Sequence, residues 1–140
     1  MIGKSKVKNE ISGLYTIKLK KDDILCRAGD DNSDLYLIHR GKLMIFVIDG
    51  TKVTPVAYLH DGEYVGELSF FDGQKRSAFV VALEDTDLIE IPVSEAHHQF
   101  PDWLLRLAKF MTKTTREIDE TLRTSGIKRK NVESITPLSI

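Results

Sequence analysis

Short stretches in which apolar and polar residues alternate, each followed by a turn, fill the chain from residue 14 to residue 91. Alternation of this kind is typical of strands that bury one face. Glycine and aspartate occupy the intervening turns, and Asp49-Gly50 is a hairpin signal. We predict strands at residues 14–19, 24–26, 34–38, 43–48, 53–59, 78–82 and 88–91. This many short strands indicates an antiparallel sandwich or barrel.

Beyond Pro92 the apolar residues follow a helical period. Ser94 can cap a short helix that runs through Phe100, and Pro101 suits the first turn of a longer one. Gly126 marks the expected end of that longer helix. Its apolar residues recur at spacings of three, four and seven, and they are Leu104, Leu107, Ala108, Met111, Ile118 and Leu122.

The two ends of the chain carry weaker patterns. Residues 1–13 form a basic segment, which predicts either an arm or a short helix. Residues 127–140 contain a basic run and a proline, which predict a tail or a linker. The predicted organisation is therefore one domain over residues 14–126, with strands at 14–92 and helices at 93–126.

Composition and charge narrow the function classes. The 140 residues fit one domain, and 20 basic against 21 acidic residues give a net charge of −1, whereas a DNA-binding domain is usually basic. Cys26 is the only cysteine, which excludes an internal disulfide. The sequence shows no apolar run of membrane-spanning length and no signal-peptide pattern. We therefore expect a cytoplasmic protein that does not enter a membrane. Because nothing after Gly126 predicts a recognition helix, we also expect no direct DNA binding.

The segment at residues 65–80 carries the richest chemistry and reads V-G-E-L-S-F-F-D-G-Q-K-R-S-A-F-V. A segment this apolar should be buried, and a buried arginine needs an anion as its partner. Gly66 lets a ligand approach the backbone, and a helical turn that begins at Glu67 offers free N–H groups. Arg76 can hold a phosphate at two points, while Glu67 can accept a hydrogen bond from a sugar hydroxyl. A sugar phosphate fits this pattern, and a direct Glu67–Arg76 salt bridge is the alternative.

These residues resemble the phosphate-binding cassette of the cyclic nucleotide-binding domain family. Two motifs carry the resemblance, Gly66-Glu67-Leu68 and Arg76-Ser77-Ala78-Phe79-Val80. Further strand and turn signatures of the family occur in the same order, as Gly29-Asp30, Asp34-Leu35-Tyr36-Leu37-Ile38, Gly41-Lys42 and Leu59-His60-Asp61-Gly62. Residues 73–78 and 101–107 are most similar to the bacterial catabolite activator protein branch. The resemblance covers residues 14 to about 122.

The resemblance implies a mainly β fold with flanking helices. That fold is an eight-stranded, jelly-roll-like antiparallel β-roll with a short cassette helix and a long C-terminal helix. It also implies that Glu67 binds the ribose 2′-hydroxyl and Arg76 the cyclic phosphate, while Ser77 adds a hydroxyl to the phosphate or the base. The other implied contacts are the backbone N–H groups of Gly66, Glu67 and Leu68, together with Ala78 of the same motif.

Several positions depart from the family pattern. Asp22 stands where a turn glycine is common, and Lys75 replaces a proline before the arginine. The threonine and serine with which the bacterial activator contacts the base have no clear equivalents. An ungapped comparison places Ile118 and Asp119 at those positions, and Thr115, one turn earlier, can substitute. The branch resemblance makes cyclic AMP the expected ligand and leaves cyclic GMP open.

The resemblance favours a non-catalytic sensor whose long C-terminal helix is repositioned when the nucleotide binds. In the bacterial branch that helix also forms the dimer, so we expect a homodimer and a protein effector as partners. The alternative is an interaction module that keeps the fold and has lost or changed its ligand. A phosphodiesterase ranks third, because neither metal ligands nor an activated water is visible. His97 and His98 are adjacent on a helix and point apart, so no metal site is predicted.

Overall fold

The computed structural model of the chain describes residues 5–9 and 13–124, with side chains for residues 13–121. This part of the chain contains nine strands and three α-helices. The strands are β1 Ser5–Asn9, β2 Leu14–Leu19, β3 Ile24–Cys26, β4 Leu35–Arg40, β5 Lys42–Asp49, β6 Lys52–His60, β7 Tyr64–Val65, β8 Phe79–Ala82 and β9 Thr86–Ile91. The helices are α1 Glu67–Asp72, α2 Ala96–Gln99 and α3 Asp102–Thr124, and a 3₁₀ turn at Val93–Glu95 precedes α2.

Two antiparallel sheets pack face to face and form a β-roll. One sheet has the strand order β1-β2-β9-β4-β7, and the other has the order β3-β8-β5-β6. Strands β2 to β9 are the eight strands expected for the roll. The predicted fold, with a short cassette helix and a long C-terminal helix, is therefore confirmed.

Strand β1 corrects the expectation of an arm or a short helix at residues 1–13. Residues Ser5–Asn9 pair with β2 along their whole length, from Ser5 opposite Lys18 to Asn9 opposite Leu14. An edge strand leaves a row of backbone N–H and C=O groups without partners, and β1 satisfies that row along β2. Pairing with the next strand along the chain thus decides the structure of a segment whose own pattern is weak.

The helical region also differs in detail from the prediction. The 3₁₀ turn begins directly after Pro92 and has no side-chain cap, so Ser94 does not cap it as expected. Pro101 precedes α3 rather than lying in its first turn, and its carbonyl accepts the N–H groups of Leu104 and Leu105 at 3.0 and 3.1 Å. Gly126 and residues 127–140 lie outside the described residues. None of the described helices is long and apolar enough to span a membrane.

Part of the five-stranded sheet is buried on both faces. Its inner face packs against the second sheet, and the residues with 0% exposure in this core are Ile17, Ile38, Leu43, Ala82 and Leu88. Its outer face is covered by the helices at one end, where the buried residues are Leu35, Phe70, Ile91 and Ala96. Side chains alternate between the faces along a strand, so consecutive residues of β4 and β9 contribute to different layers. The cassette helix α1 is thereby attached to the sheet through Phe70.

Candidate functional site

A glycine in the left-handed conformation leads into α1. Gly66 has a φ of 89°. A Cβ at this position would lie 2.6 Å from Arg76 Nη1 and 2.9 Å from the Asp34 carbonyl oxygen. Both the backbone conformation and the available space therefore require glycine. The absence of a side chain here lets Arg76 lie directly against the backbone that enters α1.

Arg76 is buried, with 6% of its surface exposed. Its Nη1 donates to the Gly66 carbonyl oxygen at 3.0 Å, and its Nη2 donates to the Asp34 carbonyl oxygen at 2.6 Å. The guanidinium carbon lies 6.0 Å from the centre of the Tyr36 ring, a distance that suits a cation–π contact. Its Nε is buried and has no hydrogen-bond partner among the described residues. Two carbonyl oxygens and an aromatic ring, all uncharged, therefore fix the guanidinium. Its remaining N–H groups are available as donors to an anion.

The turn at residues 27–34 holds the backbone of Arg76 as well. The Gly29 N–H donates to the Arg76 carbonyl oxygen at 2.8 Å, and the Arg76 N–H donates to the Asp30 carbonyl oxygen at 2.9 Å. Beside this contact, Lys75 forms an exposed ion pair with Asp31 at 2.8 Å. A segment that is remote in the sequence therefore positions both the main chain and the side chain of the arginine.

Glu67 is the first residue of α1, and its carboxyl group is buried. Burial raises the pKa of Glu67 from its ordinary value of 4.5 to about 7. A hydrogen bond from its own backbone N–H and the nearby charges of Arg76 and Arg116 oppose this rise in pKa. Its Oε2 is buried and has no hydrogen-bond partner among the described residues. The carboxyl group can therefore accept a hydrogen bond from a ligand.

The two charged groups of the site do not pair with each other. The ion pairs formed within the described part of the chain do not include one between Glu67 and Arg76. The charge of Arg76 nevertheless lowers the pKa of Glu67, so the two groups share one neighbourhood. A direct salt bridge, the alternative interpretation of these two residues, is therefore wrong.

The remaining cassette residues lie where the chain enters and leaves this neighbourhood. Leu68 is in the first turn of α1 and is partly buried. Ser77 directly follows Arg76 and is exposed, and Ala78 is partly buried. Their contacts with a nucleotide remain predictions.

A charged contact that the sequence did not indicate joins α3 to α1. Arg116 donates from Nε and Nη2 to the two carboxylate oxygens of Asp72, the last residue of α1, with an Nη2–Oδ1 distance of 3.2 Å. The Asp72 side chain is 8% exposed and the Arg116 side chain 22%. The charge of Arg116 also lowers the pKa of Glu67. Arg116 therefore acts on acidic residues at both ends of the cassette helix.

The threonines of α3 are placed differently from one another. Thr112 is buried, with 4% of its surface exposed, and donates to the Ala108 carbonyl oxygen at 2.8 Å. Thr115 is exposed and donates to the Met111 carbonyl oxygen at 3.0 Å. Asp119 is partly buried. A role for Thr115 or Asp119 in base recognition remains a prediction.

A buried tyrosine and a buried glutamate lie behind the arginine. Tyr36 and Glu90 are directly opposite each other on β4 and β9, and each is 1% exposed. The Tyr36 hydroxyl accepts a hydrogen bond from Asn32 Nδ2 at 2.9 Å and is also hydrogen-bonded to Glu90. Burial, and then the Glu90 charge, raises the pKa of Tyr36. A glutamate within the apolar run Leu88-Ile89-Glu90-Ile91 was the sequence signal for this network.

The site can therefore bind an anionic group at Arg76 and a hydroxyl donor at Glu67. No group of three or more metal-ligating side chains occurs within the residues that the structure describes. The chemistry available is recognition by hydrogen bonds and charge, which suits a sugar phosphate.

Comparisons with known proteins connect this geometry to a family. Residues 16–100 match the profile of the cyclic nucleotide-binding domain. The chain is 29% identical over 115 residues to the cAMP-activated global transcriptional regulator CRP of Salmonella typhimurium, covering 79% of this chain and 55% of that protein. The chain spans between 8% and 55% of the length of the first curated relatives that it matches.

Solved structures show the same similarity. The catabolite activator protein of Thermus thermophilus superposes with a TM-score of 0.66 at 28% identity, covering 81% of this chain and 55% of that one. The cAMP-bound form of the EAL enzyme Bd1971 superposes with a TM-score of 0.65 at 25% identity, covering 79% of this chain and 31% of that one. Its cGMP-bound form gives a TM-score of 0.61 at 26% identity, covering 79% and 32%.

Proposed function

Because this chain belongs to the cyclic nucleotide-binding domain family, we propose that it is a non-catalytic, cytoplasmic sensor of a 3′,5′-cyclic nucleotide, cyclic AMP in the first place. One observation carries the proposal. Arg76 and Glu67 are oppositely charged and near each other, yet they do not pair, and each has a buried polar atom without a hydrogen-bond partner among the described residues. Buried polar groups are normally hydrogen-bonded, and leaving them without partners costs free energy. A ligand that bonds to both residues would remove this penalty.

The chemistry of the two groups assigns the ends of the nucleotide. Arg76 uses one N–H of each terminal nitrogen on carbonyl oxygens, so its Nε–H and the second N–H of each terminal nitrogen remain for the phosphate. Glu67 accepts the ribose 2′-hydroxyl. Ser77, which is exposed directly after Arg76, adds its hydroxyl at the phosphate or the base. The backbone at Gly66, Glu67 and Leu68 lies along the same end of the ligand.

The base is the least specified part of the proposed ligand. Bd1971 is described in forms bound to cAMP and to cGMP, so similarity to that protein does not separate the two nucleotides. Similarity to the regulator CRP of Salmonella typhimurium, which is cAMP-activated, favours cyclic AMP. We assign base contacts to Thr115 and Asp119 on α3, the helix that already contacts the cassette helix.

The output of the sensor is the position of α3. This helix contacts α1 through the Arg116–Asp72 pair, and α1 begins at the ribose-binding Glu67. A nucleotide that bonds to the cassette and to α3 together binds the docked arrangement more tightly than the undocked one. It therefore shifts the population toward the docked helix, in proportion to that difference in affinity. A protein effector would respond to this change.

A second copy of the chain is the partner that α3 fits best. One side of α3 packs on the domain, whereas a row of large apolar side chains remains between 47% and 67% exposed, and they are Trp103, Leu107, Phe110, Met111 and Ile118. Positions 103, 107, 111 and 118 of this row are separated by four, four and seven residues, which places them on one side of the helix. We propose that this row, called the α3 stripe below, forms a homodimer.

Isothermal titration calorimetry of the wild-type protein tests the proposal directly. Cyclic AMP should bind with a dissociation constant at or below tens of micromolar, about 7 kcal/mol of binding free energy. Adenosine 5′-monophosphate, which lacks the cyclic phosphodiester, serves as the ligand control. Arg76→Ala should abolish binding, while Lys75→Ala removes the neighbouring exposed cation and should bind as the wild type does. Absence of binding by cyclic AMP and cyclic GMP alike would reject the proposed function.

The interaction module without a nucleotide is the second candidate, and the exposed α3 stripe favours it. It predicts self-association or capture of a partner through the stripe with no response to nucleotide. Native mass spectrometry distinguishes the candidates, because it reports bound nucleotide and the number of chains in one spectrum.

A further inference from the structure

Asn32 makes two side-chain hydrogen bonds, and each leads to a group that holds Arg76. Its Oδ1 accepts the Asp34 N–H at 2.8 Å, and its Nδ2 donates to the Tyr36 hydroxyl at 2.9 Å. The Asp34 carbonyl oxygen accepts from Arg76 Nη2 at 2.6 Å, and the Tyr36 ring lies 6.0 Å from the guanidinium carbon. The Asn32 amide therefore connects the two groups that contact the guanidinium, the Asp34 backbone and the Tyr36 ring.

The chemistry of an amide explains why asparagine suits this position. A primary amide carries an acceptor and a donor in one rigid plane, so a single side chain can fix a backbone segment and a phenol relative to each other. The Tyr36 hydroxyl has a further bond to Glu90, so Asn32, Tyr36 and Glu90 form one connected network. Asn32 itself is exposed, whereas Tyr36 and Glu90 are each only 1% exposed. Asn32 can thus be substituted without creating a cavity in the core, because it is the exposed member of a network whose other members are buried.

The burial of the arginine makes such support necessary. A guanidinium with 6% exposure and a flexible aliphatic stem binds an anion well only if its orientation is set before the anion arrives. Gly66 supplies one fixed acceptor through its own backbone. The second acceptor, at Asp34, belongs to a turn, and Asn32 restrains that turn through the Asp34 N–H.

We propose that Asn32 is a positioning residue for the anion-binding guanidinium of Arg76, acting through the Asp34 backbone and the Tyr36 ring. The inference rests on the proposed function where it concerns the cyclic phosphate. The positioning of Arg76 is a property of the protein itself and can be observed without a ligand. Asn32 thus determines how selectively the phosphate is held, although it does not touch the phosphate.

The matched pair of variants is Asn32→Ala and Ser33→Ala. Both change an adjacent polar residue of the same turn, but within the described part of the chain the Ser33 hydroxyl donates only to the Asp31 carbonyl oxygen, at 3.4 Å. Loss of the two Asn32 bonds should weaken cyclic AMP binding by about tenfold, whereas Ser33→Ala should change it less than twofold. The two phosphorothioate diastereomers of cyclic AMP, in which sulfur replaces one or the other exocyclic oxygen, add a readout of geometry. The ratio of their affinities should change in Asn32→Ala and stay constant in Ser33→Ala.

A measurement without nucleotide keeps the inference separate from the proposed function. In ¹⁵N-labelled protein, the Nε–H signal of Arg76 should exchange with solvent at least fivefold faster in Asn32→Ala than in the wild type or Ser33→Ala. If the wild type binds no cyclic nucleotide but this difference is present, the proposed function falls and the positioning role stands. If Arg76 exchanges equally in all three proteins, or the diastereomer ratio is unchanged in Asn32→Ala, Asn32 only stabilises its own turn and the inference is overturned.

Discussion

Arg116 and Asp72 lie 44 positions apart in the sequence and form a two-point ion pair that joins α3 to the end of α1. The pair is largely shielded from solvent, since the Asp72 side chain is 8% exposed and the Arg116 side chain 22%. The same short helix begins at Glu67, so the pair connects the long helix directly to the element that carries the proposed ribose-binding group. The stability of the docked helix and the state of the site are therefore linked.

Arg116→Ala should lower the free energy of unfolding by about 1–3 kcal/mol, because a shielded carboxylate loses its charged partner. The amide hydrogens of α3 should also exchange faster with solvent. Urea unfolding and hydrogen exchange measure the two effects. The control is Lys75→Ala, since the Lys75–Asp31 pair has exposed side chains, 66% and 84%, and should contribute less than about 0.5 kcal/mol. Equal losses in the two variants would contradict the structural role of Arg116.

Gly66→Ala should disturb the site beyond its effect on the backbone. Gly66 and Gly62 have similar φ values, 89° and 82°, so alanine at either costs about 1 kcal/mol of backbone strain. Only at Gly66 would the new Cβ contact Arg76 and the Asp34 carbonyl oxygen, because nothing lies within 4 Å of it at Gly62. Nucleotide affinity should fall about tenfold or more in Gly66→Ala and stay near wild type in Gly62→Ala. Calorimetry on the two proteins decides this, and equal affinities would refute the contact.

The buried carboxyl of Glu67 makes stability depend on pH with a defined sign. Its pKa is raised from 4.5 to about 7 in the folded protein, so the folded state binds more protons than the unfolded state between these values. The stabilisation from this group is present at low pH and is lost as the pH rises through that window. Glu67→Gln should therefore be more stable than the wild type at pH 8, by roughly 1–2 kcal/mol, and should lose most of this advantage at pH 4. Urea titrations of both proteins across this range measure the difference.

Nucleotide binding should depend on pH in the opposite direction. Under the proposed function the ribose hydroxyl donates to the ionised carboxylate of Glu67, so affinity should fall as the pH drops below about 7, by at most about tenfold per unit. Glu67→Gln should bind weakly at every pH and show no such slope. A wild-type affinity that is constant between pH 5 and pH 8 would show that Glu67 does not accept from the ligand as an anion.

Met111→Glu should dissociate the proposed homodimer, because it places a charge within the α3 stripe, where Met111 is 59% exposed. Lys109→Gln is the matched control: it makes the same change in net charge at an exposed position two residues away, on roughly the opposite side of the helix. Sedimentation velocity should show a dimer for the wild type and Lys109→Gln and a monomer for Met111→Glu. A wild-type monomer at all concentrations, with and without nucleotide, would reject the dimer.

The sequence predicted what depends on local pattern or on a contiguous motif. The alternation along β2, β4 and β5 and the glycine turns between them indicated the roll, and Gly66, Glu67 and Arg76 fall within one short segment. Asp22, which stands where a turn glycine is common, does adopt a φ of 76°. These features are set by residues near one another in the chain, so the spacing of those residues was sufficient to predict them.

Contacts between distant segments were not predictable in the same way. Nothing in the sequence near Asp34 shows that its carbonyl oxygen meets Arg76, and no periodicity relates Asp72 to Arg116. The strand at Ser5–Asn9 was missed for another reason: it pairs with the adjacent β2, but its own residues carry too little apolar alternation to predict a strand. Thr115 interrupts the apolar spacing of α3 but is exposed, while the neighbouring Thr112 is the buried threonine. Helix orientation is set by tertiary packing, and here the packing against α1 decides it.

The two carbonyl oxygens that hold Arg76 do not titrate, whereas the carboxyl of Glu67 does so at about pH 7. Acidification would therefore act on one half of the site only. Under the proposed function, binding of the phosphate by Arg76 would persist, while the preference for ribose over 2′-deoxyribose would decline. Mild acid would thus make the protein a less discriminating receptor as well as a weaker one, and the difference in affinity between cyclic AMP and its 2′-deoxy analogue would shrink as the pH falls.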